Sequence, residues 1–204
     1  MNRIILASGS PRRAELLRQI GISFDVMPSD KGEPALGCQT PADFVVKTAC
    51  FKGEYIRSQL FKDSYNLNKI VVAADTVVSI DGEVLGKPRD AQDAGSMLRR
   101  YSGREIQVYT AIFVAKSDFS TSGYEMTKVR FSKLSESDIS SYVSSGEPLD
   151  KAGSFGIQGL CAPYIESIEG CYYNVVGLPL ALLRRLFSEL GFDVICGQVT
   201  AKVS

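Results

Sequence analysis

Residues 3–13, RIILASGSPRR, end an apolar run in small residues and then place two arginines behind a proline. Ser10 suits a helix N-cap and Pro11 the first helical position. Arg12 and Arg13 follow at once, where the partial positive charge of a helix N-terminus disfavours cations. One reading is a surface helix with both arginines in solvent. The other is an anion site, in which the amides near Ser8 and Ser10 face a phosphate that Arg12 and Arg13 clamp. The Walker pattern G-x-x-x-x-G-K-[ST] does not occur here.

Asp75 interrupts VVAADTVV, otherwise a buried strand. A buried carboxylate needs a hydrogen bond, a counter-charge or a metal. It reads either as a strand-end group bonded to a turn, or as a metal ligand or general base for water. Lys52 sits on the apolar stripe of a helical segment, where a lysine either snorkels or reaches over a cleft to a phosphate. Lys87, in LGKP, has the same two readings. Glu33, in the polar stretch SDKGEP, reads by itself as solvent-exposed. The glycine-rich DKAGSFGIQG reads as a mobile turn or as backbone that approaches a ligand closely. Its amide, Gln158, suits a bidentate hydrogen bond to a base edge.

Composition narrows the chemistry. The 204 residues hold 23 Lys+Arg and 23 Asp+Glu, so the net charge is zero. Broad binding of nucleic acid is not expected. Histidine is absent, which removes a Ser-His-Asp triad and imidazole metal ligands. A metal held by carboxylates alone is a hard one, magnesium or manganese. The five cysteines are odd in number and form no C-x-x-C pair. Neither a leader peptide nor an apolar run long enough for a bilayer is read, so the expectation is a cytoplasmic protein with free thiols.

These residues need elements to position them. The pattern predicts a strand over 3–7, a helix over Pro11–Ile20 stopped by Gly21, and a short strand over Ser23–Met27. Thr40 caps a helix reaching about Leu60. Lys69–Pro88 is an apolar strand running into a hairpin on Asp81-Gly82. Asp90 caps a helix to about Tyr101. A strand over Glu105–Lys116 pairs with one over Tyr124–Leu134. Ser135 caps a short helix that ends at Gly146. Strands are expected near Tyr164–Ile168 and Cys171–Val176, with Tyr172 and Tyr173 in cross-strand packing. A last helix runs from Pro179 to Gly191, and CGQVTAKVS carries no assignable pattern. The mix argues for an α/β chain with a mixed sheet, one domain over residues 1–204.

The segments ILASGSPRRAELL, AADTVV, LGKP, YSGREIQVYTA, DKAGSFGIQG and YYNVVGLP, in this order, resemble the Maf family of nucleotide pyrophosphatases, first described as septum-formation inhibitors. The resemblance spans almost the whole chain. It implies a mixed twisted sheet flanked by helices, in two lobes around a deep cleft, similar to the inosine triphosphate pyrophosphatases. It implies hydrolysis of a nucleoside triphosphate to the monophosphate and pyrophosphate with a divalent cation, Mg2+ or Mn2+. By motif, Ser8, Ser10, Arg12 and Arg13 would bind phosphate, Glu33 and Asp75 would handle the metal and the attacking water, and Lys52 and Lys87 would hold the phosphates. Arg12, Thr76 and Gln158 stand where the family separates substrate classes. ADT with GIQG resembles the branch acting on dTTP and UTP. Modified pyrimidine triphosphates, 7-methyl-GTP and a non-catalytic, nucleotide-binding regulator of cell division remain as alternatives. A homodimer is compatible with the resemblance; nucleic acid and membrane are not expected partners. One departure stands out: many members carry His where this chain has Ile106.

Overall fold

A computed structural model describes residues 3–29, 40–60 and 68–202. Strand β1 (Arg3–Leu6) leads into helix α1 (Pro11–Gln19), strand β2 (Phe24–Val26) and the long helix α2 (Pro41–Leu60). Strands β3 (Lys69–Ile80) and β4 (Glu83–Leu85) form a hairpin, followed by α3 (Ala91–Tyr101), β5 (Glu105–Lys116) and β6 (Phe119–Phe131). After α4 (Glu136–Ser144) come short 3-10 turns, β7 (Ile165–Glu169), α5 (Tyr172–Val176), α6 (Leu180–Glu189), β8 (Phe192–Ile195) and β9 (Gln198–Ala201). Among the described residues, no helix is long and apolar enough to cross a membrane.

The order β2-β1-β3-β5-β6-β7, with β4 added to β3, makes one seven-stranded sheet. β1 runs parallel to β2 and β3, and the other pairs are antiparallel. The sheet is therefore mixed, as the sequence predicts. Alternation along β3 assigns its faces. Val71, Ala73 and Val77 pack under α2, against Val45, Ala49 and Ile56. Ile70, Val72 and Ala74 face α1 and α6, against Leu17, Leu183 and Phe187. Further along, Val78 and Ile80 join a third cluster with Leu98 and Tyr101 of α3 and Ile139 of α4. Ile106 is buried in this third cluster and so takes an apolar packing role.

Local signals explain most boundaries. Thr40 and Asp90 accept from the amides of Asp43 and Asp93, as N-caps do. Ser135 and Asp138 form a reciprocal capping box. Asp81 and Gly82 take φ of 55° and 81°, the conformation of a type I′ hairpin turn.

Three expectations are corrected. β6 starts at Phe119, not Tyr124, because Ser117-Asp118 closes a two-residue turn with Lys116 opposite Phe119. Cys171–Val176 is not a strand. Tyr172–Val176 forms a helix whose Asn174 is bonded into the sheet, and this tertiary anchoring overrides the β-propensity of YYNVV. Tyr172 and Tyr173 pack edge to face, 5.8 Å between centroids, within that helix. The C-terminal stretch is structured as a hairpin on Cys196-Gly197, with φ of 45° and 81°.

Candidate active site

The loop from β1 into α1 forms one wall of a cleft of about 890 Å³. Ser8 is nearly buried, and its hydroxyl accepts from the Ser10 amide at 3.3 Å and from Arg13 Nη1 at 3.0 Å. Ser10 takes the extended N-cap backbone, but its hydroxyl makes no capping bond, contrary to the expected side-chain cap. Arg13 turns inward. Its guanidinium donates to the Ala74 carbonyl at 2.8 Å, to the Gly177 carbonyl at 2.9 Å and to Thr76 Oγ1 at 2.9 Å, besides Ser8. Arg12 points another way, with Nη1 3.4 Å from Asp150 Oδ2. The two arginines thus divide: one ties α1 to β3 and to the end of α5, and the other lies against the glycine-rich segment.

The second wall comes from α2 and β3. Lys52 Nζ donates to Asp75 Oδ1 at 2.7 Å, and both side chains are mostly buried. The residue after Lys52 makes this reach possible. A Cβ on Gly53 would lie 2.1 Å from the Phe113 ring, so only glycine lets α2 press this closely on β5. Asp75 is therefore a buried carboxylate with a counter-charge, the compensation its position demands. Thr76 lies opposite Thr110 of β5, with their hydroxyl oxygens 3.0 Å apart.

The remaining wall is the segment from Gly146 to Gly159. Glu147 organises it: Tyr142 OH donates to Oε1, and the Leu160 amide donates to Oε2. A Cβ on Gly159 would lie 2.1 Å from this carboxylate, so a side chain there would require the Glu147 carboxylate to swing aside. The Gly153 amide bonds the Gly86 carbonyl at 2.8 Å, joining this segment to LGKP. Lys87 and Gln158 are both exposed and line the cleft.

All the sequence-predicted site residues that are described line the cleft: Ser8, Ser10, Arg12, Arg13, Lys52, Asp75, Thr76, Lys87 and Gln158. Glu33 lies outside the described residues. Sequence reading missed Lys151, whose Nζ sits 2.7 Å from Asp150 Oδ1 and donates to the Glu147 carbonyl. Burial pushes the Asp150 carboxyl up, but its bonds and charge contacts with Lys151 and Arg12 outweigh this and hold it below its ordinary value. Thr110 and Asn174 were missed too. The rule that marks Asp75, a polar residue inside an apolar strand, also marks Thr110.

Five cations line the described cleft against two carboxylates, Asp75 and Asp150, so it suits a polyanion. Among the described residues, no three side chains gather as a metal cluster. Asp75 nevertheless offers a hard oxygen donor at the cleft wall. That fits a magnesium-type ion, which commonly takes one or two protein carboxylates and completes its shell with phosphates and water.

The family model described as Maf-like protein matches residues 3–190. A protein of Symbiobacterium thermophilum named dTTP/UTP pyrophosphatase is 45% identical over 97% of this chain and 98% of its own length. Proteins of the same name from Pelotomaculum thermopropionicum and Bacillus cereus are 42% and 40% identical, over 96% and 95% of this chain and 100% and 98% of theirs. Among solved structures, the Staphylococcus aureus Ham1 protein aligns at TM-score 0.43 and 16% identity, over 63% of this chain and 71% of that one.

Proposed function

This chain belongs to the Maf family, and we propose that it hydrolyses dTTP and UTP to the nucleoside monophosphate and pyrophosphate. The observation that carries the reading is the meeting, in one cationic cleft, of the Ser8–Arg13 turn, the Lys52–Asp75 pair and Gln158. Full-length likeness to relatives named for that activity supports it.

In the proposed reaction the triphosphate lies along the cleft. Ser8, Ser10, Arg12 and Lys87 bind its phosphates, and Arg13 acts from behind them, holding Ser8 and Thr76 in place. Asp75, oriented by Lys52, takes a proton from water as the water oxygen bonds to the α-phosphorus. The bond from that phosphorus to the α–β bridging oxygen breaks, and pyrophosphate leaves with the electron pair. Lys52 holds the carboxylate aimed, and the cations spread over the phosphates stabilise the developing charge. A divalent cation, magnesium or manganese, held by Asp75 and by Glu33 outside the described residues, would neutralise phosphate charge and make bound water more acidic. Gln158 and Thr76 face the base. The described cysteines are free thiols, which suits a reducing compartment, and we place the protein in the cytoplasm.

The test is a panel of nucleoside triphosphates with magnesium, read as orthophosphate with and without added inorganic pyrophosphatase. The expected signal for UTP and dTTP appears only with the helper enzyme. Asp75→Asn should lower turnover by about a thousandfold or more, given what a general base and its electrostatics contribute. Orthophosphate released without the helper, or full activity in Asp75→Asn, overturns the proposal.

A further inference from the structure

We infer that Thr76 offers the cleft a hydrogen-bond acceptor and never a donor, and that Thr110 and Asn174 impose this as positioning residues, so the site selects a base edge carrying an N–H. The inference rests on the pyrimidine reading above and adds the physical cause of its selectivity.

The argument is a proton count. Thr110 Oγ1 lies 2.8 Å from the backbone carbonyl oxygen of Asn174. Two oxygens that close need a hydrogen between them, and only the Thr110 hydroxyl has one to give. Thr110 and Thr76 hydroxyl oxygens are 3.0 Å apart, so the hydrogen in that contact must come from Thr76. Arg13 Nη2, always a donor, approaches Thr76 Oγ1 at 2.9 Å. The order Arg13 → Thr76 → Thr110 → Asn174 is therefore fixed in direction. Thr76 has spent its one hydrogen and one of two lone pairs, and what remains for the cleft is a lone pair.

Asn174 fixes the end of this relay. It is fully buried, and Nδ2 donates to the Val108 carbonyl and to Thr127 Oγ1, both at 2.9 Å. Thr127 gives its own hydrogen to the Cys171 carbonyl, so it meets Asn174 as an acceptor and the amide has one orientation. α5 is thereby pinned to β5 and β6. Its last turn gives way to Gly177, at φ 116°, whose missing side chain leaves Thr76 uncovered: a Cβ there would stand 3.4 Å from Thr76 Oγ1.

This polarity matters because Gln158 by itself cannot tell uracil from cytosine. An amide can turn to offer either oxygen or NH₂, so it pairs with both edges. A free hydroxyl is equally ambivalent, but Thr76 is not. Uracil and thymine present N3–H, which its lone pair accepts. Cytosine presents a bare N3, and two lone pairs facing each other in a partly desolvated site are penalised.

The experiment compares UTP, CTP and 3-methyl-UTP, first with the unmodified protein. The expected kcat/KM for UTP exceeds those for the other two by at least about tenfold. Thr110→Val then removes the acceptor that holds the Thr76 hydrogen, so the CTP:UTP ratio should rise severalfold, while Thr110→Ser keeps the parental ratio. General damage to the fold lowers both substrates together and leaves the ratio unmoved. Equal use of UTP and 3-methyl-UTP by the unmodified protein, or a parental ratio in folded Thr110→Val, overturns the relay alone. No turnover of UTP by the unmodified protein overturns the functional reading, and the relay with it. Should Thr110→Val not fold, the 3-methyl-UTP comparison still decides.

Discussion

Arg12 and Arg13 are adjacent and chemically identical, yet their surroundings assign them different work. Arg13 spends its planar fork on Ser8, Ala74, Thr76 and Gly177, three of which belong to other elements than its own. A lysine cannot reproduce that fork. Arg13→Lys should therefore lower the melting temperature and the kcat/KM for every nucleotide together. Arg12 has one ion-pair contact across the cleft, at 3.4 Å, and its side chain is about one-third exposed. Exposed pairs of this kind contribute little to stability, on the order of 0–1 kcal/mol. Arg12→Lys should leave the melting temperature nearly unchanged and raise KM, so thermal melts beside kinetics separate the two roles. The sequence shows both as misplaced cations at a helix start. It holds no trace of which one turns inward, because the acceptors of Arg13 lie up to 164 residues away.

The elements carry the site through packing that tolerates little change. Gly53→Ala drives a methyl into the Phe113 ring, and relief requires α2 to move off β5. Overpacking of this type costs about 1–3 kcal/mol. The expected outcome is a lower urea midpoint, together with lost activity under conditions where the variant is still folded, since Lys52 moves with the helix. Ser135→Ala is the contrasting case. It removes the capping box of α4, at a cost of roughly 1 kcal/mol, and Ser135 does not line the cleft. Its midpoint should fall while kcat and KM hold. Caps of this kind were legible because Thr40, Asp90 and Ser135 act on amides three residues away. α5 was not legible: YYNVV has the composition of a strand, and its helix is held by Asn174 bonding to β5 and β6.

At the scale of the molecule, a chain of zero net charge concentrates cations in its cleft. Added salt should therefore raise KM for a triphosphate well before it affects the melting temperature measured without nucleotide. Pyrophosphate at about a hundred times its Kd should stabilise the fold by about 2.7 kcal/mol, read as an upward shift in melting temperature. The thiols report burial in the same way. Burial pushes Cys161 up to about 12, whereas Cys196 is exposed on the terminal hairpin. Iodoacetamide near neutral pH should alkylate Cys196 and spare Cys161 until denaturant is added, as peptide mass spectrometry would show; equal labelling of both in the native protein contradicts the packing described.

What the sequence determined by itself is what short-range chemistry controls: helix caps, the Asp81-Gly82 hairpin, the small-residue turn before Arg12, and the anomaly of a carboxylate inside VVAADTVV. Those features depend on neighbours a few positions away. The partners that give the residues their roles were decided by the tertiary structure. Lys52 meets Asp75 only because α2 lies on the sheet at Gly53, and Thr76 meets Thr110 only through the antiparallel register of β3 and β5. Register and helix placement follow from burying three apolar clusters at once. That constraint belongs to the whole chain, so no local pattern displays it, and the direction of the hydrogen bonds at Thr76 becomes readable only after it is met.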